Sequence, residues 1–105
     1  NAILEGADLR NAILEGADLI DVDLKGAKLE GAELKDAKLV NADLRGADLK
    51  GADLTGANLS HANMQDTNLF RINLNGADLF RTNLKGVDMT GVDISNAFLD
   101  KWTDN

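Results

Sequence analysis

The sequence predicts an all-β solenoid, a chain that turns a corner every five residues, and three observations predict it. An aliphatic centre recurs at every fifth position from Leu4 to Leu99; seventeen of these twenty are leucine, and Met64, Met89 and Ile94 are the rest. Two places before each centre stands a small residue, alanine in fourteen of the twenty units. All ten glycines, Gly6 to Gly91, fall two places after a centre.

A period of five suits neither regular element. Five helical steps turn about 500° and would scatter the leucines around every side of a helix. In a straight strand the faces alternate every two residues, so an odd period would send successive leucines to opposite faces. A chain that turns once per unit keeps them together. Within a unit the small residue and the centre are two apart and share the inner side of a short extended segment, and glycine supplies a permissive corner. Glycine is missing from many corners, Asp21, Asp36, Asn41 and Arg71 among them, so the turn is expected not to demand positive φ everywhere. The small slot is filled otherwise only by Val22, Thr67, Ile72, Thr82, Val87 and Val92. Just before the centre, Asp or Asn stands in fourteen units and the two alternate freely, as at Asp53, Asn58, Asn63 and Asp78. What they share is a short side-chain acceptor able to bond nearby backbone in a turn, so the position asks for an acceptor before it asks for charge.

Composition narrows the function classes. The 105 residues make one small domain, 44% hydrophobic with only four aromatic rings, so the core is built from small and medium aliphatics. Without cysteine there are no disulfides and no thiolate metal sites. No apolar run approaches the roughly 18 residues of a membrane span, and the chain reads as soluble, with the cytoplasm favoured. The start at Asn1, in mid-pattern, points to a fragment or processed form. A net charge of −7 lacks the basic stripe of a nucleic-acid binder, so direct nucleic-acid binding is not expected, and an acidic surface favours a basic protein partner.

Units such as ADLRG, ADLKG, ADLTG and ANLSH, held in register without insertion over residues 1–99, resemble the pentapeptide repeat family. The resemblance implies a right-handed quadrilateral β-helix with four pentapeptides per coil; spacing alone leaves a square and a triangle open. Twenty units would then give about five coils, and a rod about 24 Å long at the spacing of stacked strands. Residues 1–98 are assigned to the β-helix and 99–105 to a C-terminal cap or tail. There the pattern fails, and Trp102 occupies a small-residue slot too narrow for an indole. Phe98, Leu99 and Trp102 are read as a cap, with a homodimer interface through that solenoid end as the rival reading. At the other end Ile3 and Ile13 replace the usual Asp, which suggests that further repeats or a partner cover it.

Catalytic chemistry has little to work with. His61 is the only histidine, which cannot build a two-histidine metal site, and Ser60 beside it has no implied oxyanion donor or orienting acid. No enzyme activity, cofactor or metal is expected. The surface offers two candidate protein-binding features once the units are sorted by every fourth. The face centred on Leu14, Leu34, Leu54, Leu74 and Ile94 carries Glu15, Glu33, Asp36, Asp53 and Asp93 against Lys35 alone, −4 of the chain's −7. The next face stacks Ile20, Val40, Ser60 and Phe80 in one outward column. We therefore expect a noncatalytic structural or protein-interaction module. Within the family resemblance the alternative is a DNA-mimicking regulator of a type II topoisomerase such as DNA gyrase, against which the many basic residues, Lys25, Lys50, Arg71, Arg81 and Lys85 among them, count.

Overall fold

A computed structural model describes residues 2–100. Its unit is a coil of twenty residues. Parallel bridges join Ile3 to Asp23, Asp23 to Asp43, Asp43 to Asn63 and Asn63 to Asn83, and the other sides repeat the pattern. Twenty residues hold four pentapeptides, so each coil has four sides. The bridges are isolated pairs rather than strands, because a turn every five residues leaves too short an extended stretch between corners. The rod has principal extents of 31 × 24 × 22 Å.

Where Asp or Asn precedes the centre and both neighbouring coils are paired, all five amides of a unit have a partner; where Lys28, Glu33 or Lys38 stands there, the amide after the centre has none among the described residues. In the unit around Leu24, the centre amide donates forward to Asp43 O and the corner amide of Gly26 donates forward to Arg45 O. The Asp23 amide donates backward to Ala2 O, and Ala27 closes the turn onto Leu24 O. The remaining amide, Lys25, donates to the Asp23 carboxylate at 3.1 Å. Bonds between coils run from 2.7 to 3.1 Å. Such satisfaction is what lets a narrow rod keep its backbone next to an apolar interior.

Turn geometry corrects one expectation. Each closing bond from small residue to centre spans a four-residue turn whose third residue is the corner. Every corner from Gly6 to Gly91 has φ between 57° and 76°, including Asp21, Asp36, Asn41 and Arg71. A type II turn requires this left-handed third residue, so positive φ is demanded with or without glycine. Asn and Asp tolerate it, whereas His61, Arg71 and Arg81 carry a cost of about 1 kcal/mol or more each. At Gly56 a Cβ would also meet the Asp36 carboxylate on the coil below, which would have to turn aside to admit it.

The interior follows the expected pairing of small residue and centre. Leu24 through Leu84 and the alanines between them are buried, while Leu4, Leu9, Leu14 and Leu19 are partly open at the first coil. Each fully buried leucine contributes on the order of 2 kcal/mol. Two hydroxyls enter the small slot and are satisfied: Thr67 Oγ1 donates to Met64 O and Thr82 Oγ1 to Leu59 O.

The ladder has one gap. Among the described residues, Leu69 and Leu74 have no bond to the coil above, and the amides of Asp88 and Asp93 have none to the coil below. These are the two places where β-branched residues stack on one another in the small slot, Val87 over Thr67 and Val92 over Ile72. A single large residue is tolerated: Val22 lies between Ala2 and Ala42, and Ile72 above Ala52, with both ladders intact. Where two stand in succession the ladder is broken, and a cleft of about 370 Å³ lies between Thr67, Phe70, Asp88 and Thr90. Pairing resumes at Phe98, which bridges Asp78.

Two outcomes test these assignments. Leu54→Ala, at a fully buried centre, should cost roughly 2 to 5 kcal/mol in chemical denaturation, Ala52→Phe should overpack the same coil, and Thr55→Ala should cost under about 1 kcal/mol. Val87→Ala together with Val92→Ala should close the gap, read by hydrogen exchange as slower exchange at Leu69 and Leu74; unchanged exchange there would refute the stacking explanation.

Candidate functional site

Pentapeptide spacing fixes which side chains share a column. The residue before each centre, the residue after it and the corner each form an outward line with the residues twenty places away. On the acidic side the line before the centres is Ile13, Glu33, Asp53, Asn73 and Asp93, joined by the bridges Ile13 to Glu33, Glu33 to Asp53 and Asp53 to Asn73. Glu33 and Asp93 are exposed and Asp53 is half-buried. The structure thus brings the three predicted acids onto one side, with Asn73 interrupting the negative line.

The local role of these acids is visible in their hydrogen bonds. All fourteen Asp and Asn residues before a centre accept the amide two residues on, at 2.9 to 3.3 Å. Asp53 also accepts the Thr55 hydroxyl at 2.5 Å, and Asp93 the Ser95 hydroxyl at 2.7 Å. The Thr55 hydroxyl and amide hold the Asp53 carboxyl below the usual carboxylate range, and the Ser95 amide and hydroxyl do the same for Asp93. The Arg10 guanidinium, 2.6 Å away, lowers Asp8 to about 2, and Arg45 lowers Asp43 in the same way. Hydrogen bonds to the ionised form are the dominant cause in each case. Both structural support and permanent charge therefore reside in the same side chains.

The apolar column is assembled as the spacing predicts. Ile20 is exposed, Val40 and Phe80 are half-buried, and the Phe80 ring meets His61 edge-on at 5.6 Å and lies near-parallel to Phe98 at 6.4 Å. Arg81 sits 5.5 Å from the Phe80 ring centre. Phe70 lies apart from this group, under Lys50 and Arg71. Phe98 and Leu99 are exposed, Phe98 packing along the side of the rod against Phe80; Trp102 lies outside the described residues. No group of three or more His, Cys, Asp or Glu among the described residues is placed to hold a metal ion. No described helix is long and apolar enough to cross a membrane.

One feature escaped the sequence reading. Three of the four corner lines contain glycines, but the fourth runs Asp21, Asn41, His61 and Arg81, all left-handed at φ 57–61°. It borders the apolar column. Reading the corners at intervals of twenty would have found it; dismissing the left-handed requirement hid it.

These coils, columns and corners define a parallel β-solenoid whose side chains are arrayed on four sides. The chain belongs to the pentapeptide repeat family, whose members form right-handed four-sided β-helices: the family's profile, described as pentapeptide repeats, matches residues 2–39, 32–69 and 67–101. It is 39% identical to a pentapeptide repeat protein of the Arabidopsis thaliana thylakoid lumen, with a TM-score of 0.88 over 93% of this chain and 68% of that one. A Nostoc pentapeptide repeat protein is 36% identical, with a TM-score of 0.80 over 94% of this chain and 81% of that one. Against the Cyanothece protein Rfr23 the values are 35% and 0.85, over 88% of this chain and 63% of that one. No curated protein sequence matches the chain.

Acid titration tests the carboxylate roles. A carboxyl whose folded pKa is depressed adds stability above its unfolded value, near 3.9, and loses it as pH falls through the folded value. Stability should therefore fall between about pH 4 and pH 2. Asp53→Asn with Asp93→Asn should make that fall shallower while leaving the neutral-pH midpoint nearly unchanged, since the amide oxygen still accepts the backbone N–H.

Proposed function

We propose that this chain is a noncatalytic interaction module that presents a rigid acidic face to a basic protein partner. The observation that carries the reading is the Glu33, Asp53 and Asp93 line. Glu33 and Asp53 stand on coils paired to their neighbours, and Asp53 and Asp93 are held ionised by their own turns. Preorganised charge of one sign steers a complementary partner and loses little side-chain freedom on docking.

DNA mimicry is the second reading, favoured by the same acidic line. Asn73 interrupts that line, and Lys35 lies beside it, so a continuous phosphate-like row is absent among the described residues of this face. Presentation to a basic protein is the better supported of the two.

The discriminating variant is Glu33→Gln, Asp53→Asn and Asp93→Asn together, with circular dichroism confirming an unchanged fold. Affinity capture from the source cell should retain a partner on the parent, salt should release it, and the triple variant should lose it. Retention by the triple variant would reject the acidic face. Competition by the parent with duplex DNA for DNA gyrase, abolished in the variant, would instead establish the mimic.

A further inference from the structure

The side adjoining the acidic face has two properties that the other three lack together. Its outward column is apolar and aromatic, Ile20, Val40 and Phe80, extended by the exposed ring of Phe98. Its corner is the one without glycine, where Asp21, Asn41, His61 and Arg81 are all left-handed, His61 and Arg81 at a conformational cost. Side chains kept at strained positions beside an apolar strip mark a surface that does more than close a turn.

The charges on this side choose its occupant. The line before its centres runs Asp18, Lys38, Asn58, Asp78 and Phe98, linked bridge by bridge. Lys38 and Asp78 stand one coil on either side of Asn58. We propose that this side docks against a second copy of the same chain, with the rods antiparallel and a two-fold axis at the level of Asn58 and Ser60. The axis sets Lys38 opposite the partner copy's Asp78, and Asp78 opposite its Lys38. It also sets Val40 against the other copy's Phe80, with neutral Asn58 and Ser60 at the centre, while at the two ends Asp18 faces the other copy's Phe98 and Ile20 its Asp100. Residue i then meets residue j and j meets i, as an isologous interface requires. A parallel pair, whose two-fold runs along the rod, reverses the partner's strand direction and sets Lys38 and Asp78 against the other copy's Val40 and Phe80, which leaves both charges unpaired against apolar side chains.

Both charges can serve. One oxygen of Asp78 accepts the Phe80 amide at 3.0 Å, leaving the other for an incoming ammonium, and Lys38 is exposed. Arg81 already lies over Phe80, and its amide donates to Asp100, so it stiffens the aromatic group. Overall extents of 31 and 22 Å bound a whole side at no more than about 700 Å² per copy, which limits the pair to the lower end of the standard interface range. The arrangement does not depend on the function proposed above, but it bears on it: the two-fold axis runs along the strand direction, so the two acidic faces emerge side by side and point the same way.

Sedimentation velocity over a concentration series tests the pairing. The parent should dimerise. Lys38→Asp alone and Asp78→Lys alone, each placing like charges opposite, should weaken the dimer roughly tenfold or more, and the double variant Lys38→Asp/Asp78→Lys should recover to within about threefold of the parent. Because Asp78→Lys also removes a turn acceptor, Asp78→Asn serves as a folded check: it keeps the acceptor, and should weaken the dimer and reduce its salt dependence. A parent that stays monomeric to about 500 µM, single reversals that dimerise like the parent, or a double variant no better than the singles would overturn the proposal.

Discussion

The spacing between coils governs everything else in this molecule. Hydrogen bonds of 2.7 to 3.1 Å between coils hold only if the inward side chains let consecutive turns approach to one strand spacing. Leucine at the centres fills the interior, but alanine in the slot two places earlier sets the approach. The gap over residues 87–94 makes the dependence explicit. One β-branched residue between alanines is absorbed, whereas two in succession coincide with a broken ladder and a cleft beside Phe70. Stability and surface geometry thus rest on the smallest side chains in the chain.

Much of this was legible from the sequence because the signal is a short period held without interruption. Leu4 to Leu99 identified the centres, Ala27 or Ala52 the inner partner, and the free exchange of Asn58 for Asp53 the acceptor role. What stayed hidden involves either backbone dihedrals or pairs separated by a full coil. Arg71 and His61 look unsuited to a left-handed corner, and only the closing bond of the turn shows that position overriding residue preference. Val87 is harmless by itself; Thr67, twenty residues earlier, makes it disruptive. Sorting the outward residues by fours placed Glu33, Asp53 and Asp93 together, yet their hold on Thr55 and Ser95 needed atomic geometry.

The surfaces divide their tasks by column. Because the residue before each centre serves its own turn, a carboxylate there supports the coil and projects charge at once, and neutralising it to the amide separates the two effects. Residues after the centres are freer, and the chain uses them for Arg10 and Arg45 beside their carboxylates on some sides, and for Ile20, Val40 and Phe80 on another. The glycine-free corner sharpens that last side by giving it an unbroken row of side chains where the others mix side chains with bare glycine backbone.

Four units per coil also fix how such a chain can change length. Inserting or deleting twenty residues returns every downstream side chain to its own column, so faces survive and the rod merely grows or shrinks. Inserting five residues keeps each leucine inward and each turn intact, yet rotates all that follows by a quarter of the circumference. A sequence altered in that way would fold by the same rules while its acidic line broke into two segments on different sides. Heritable variation in units of one repeat therefore leaves the scaffold whole and redraws its surface.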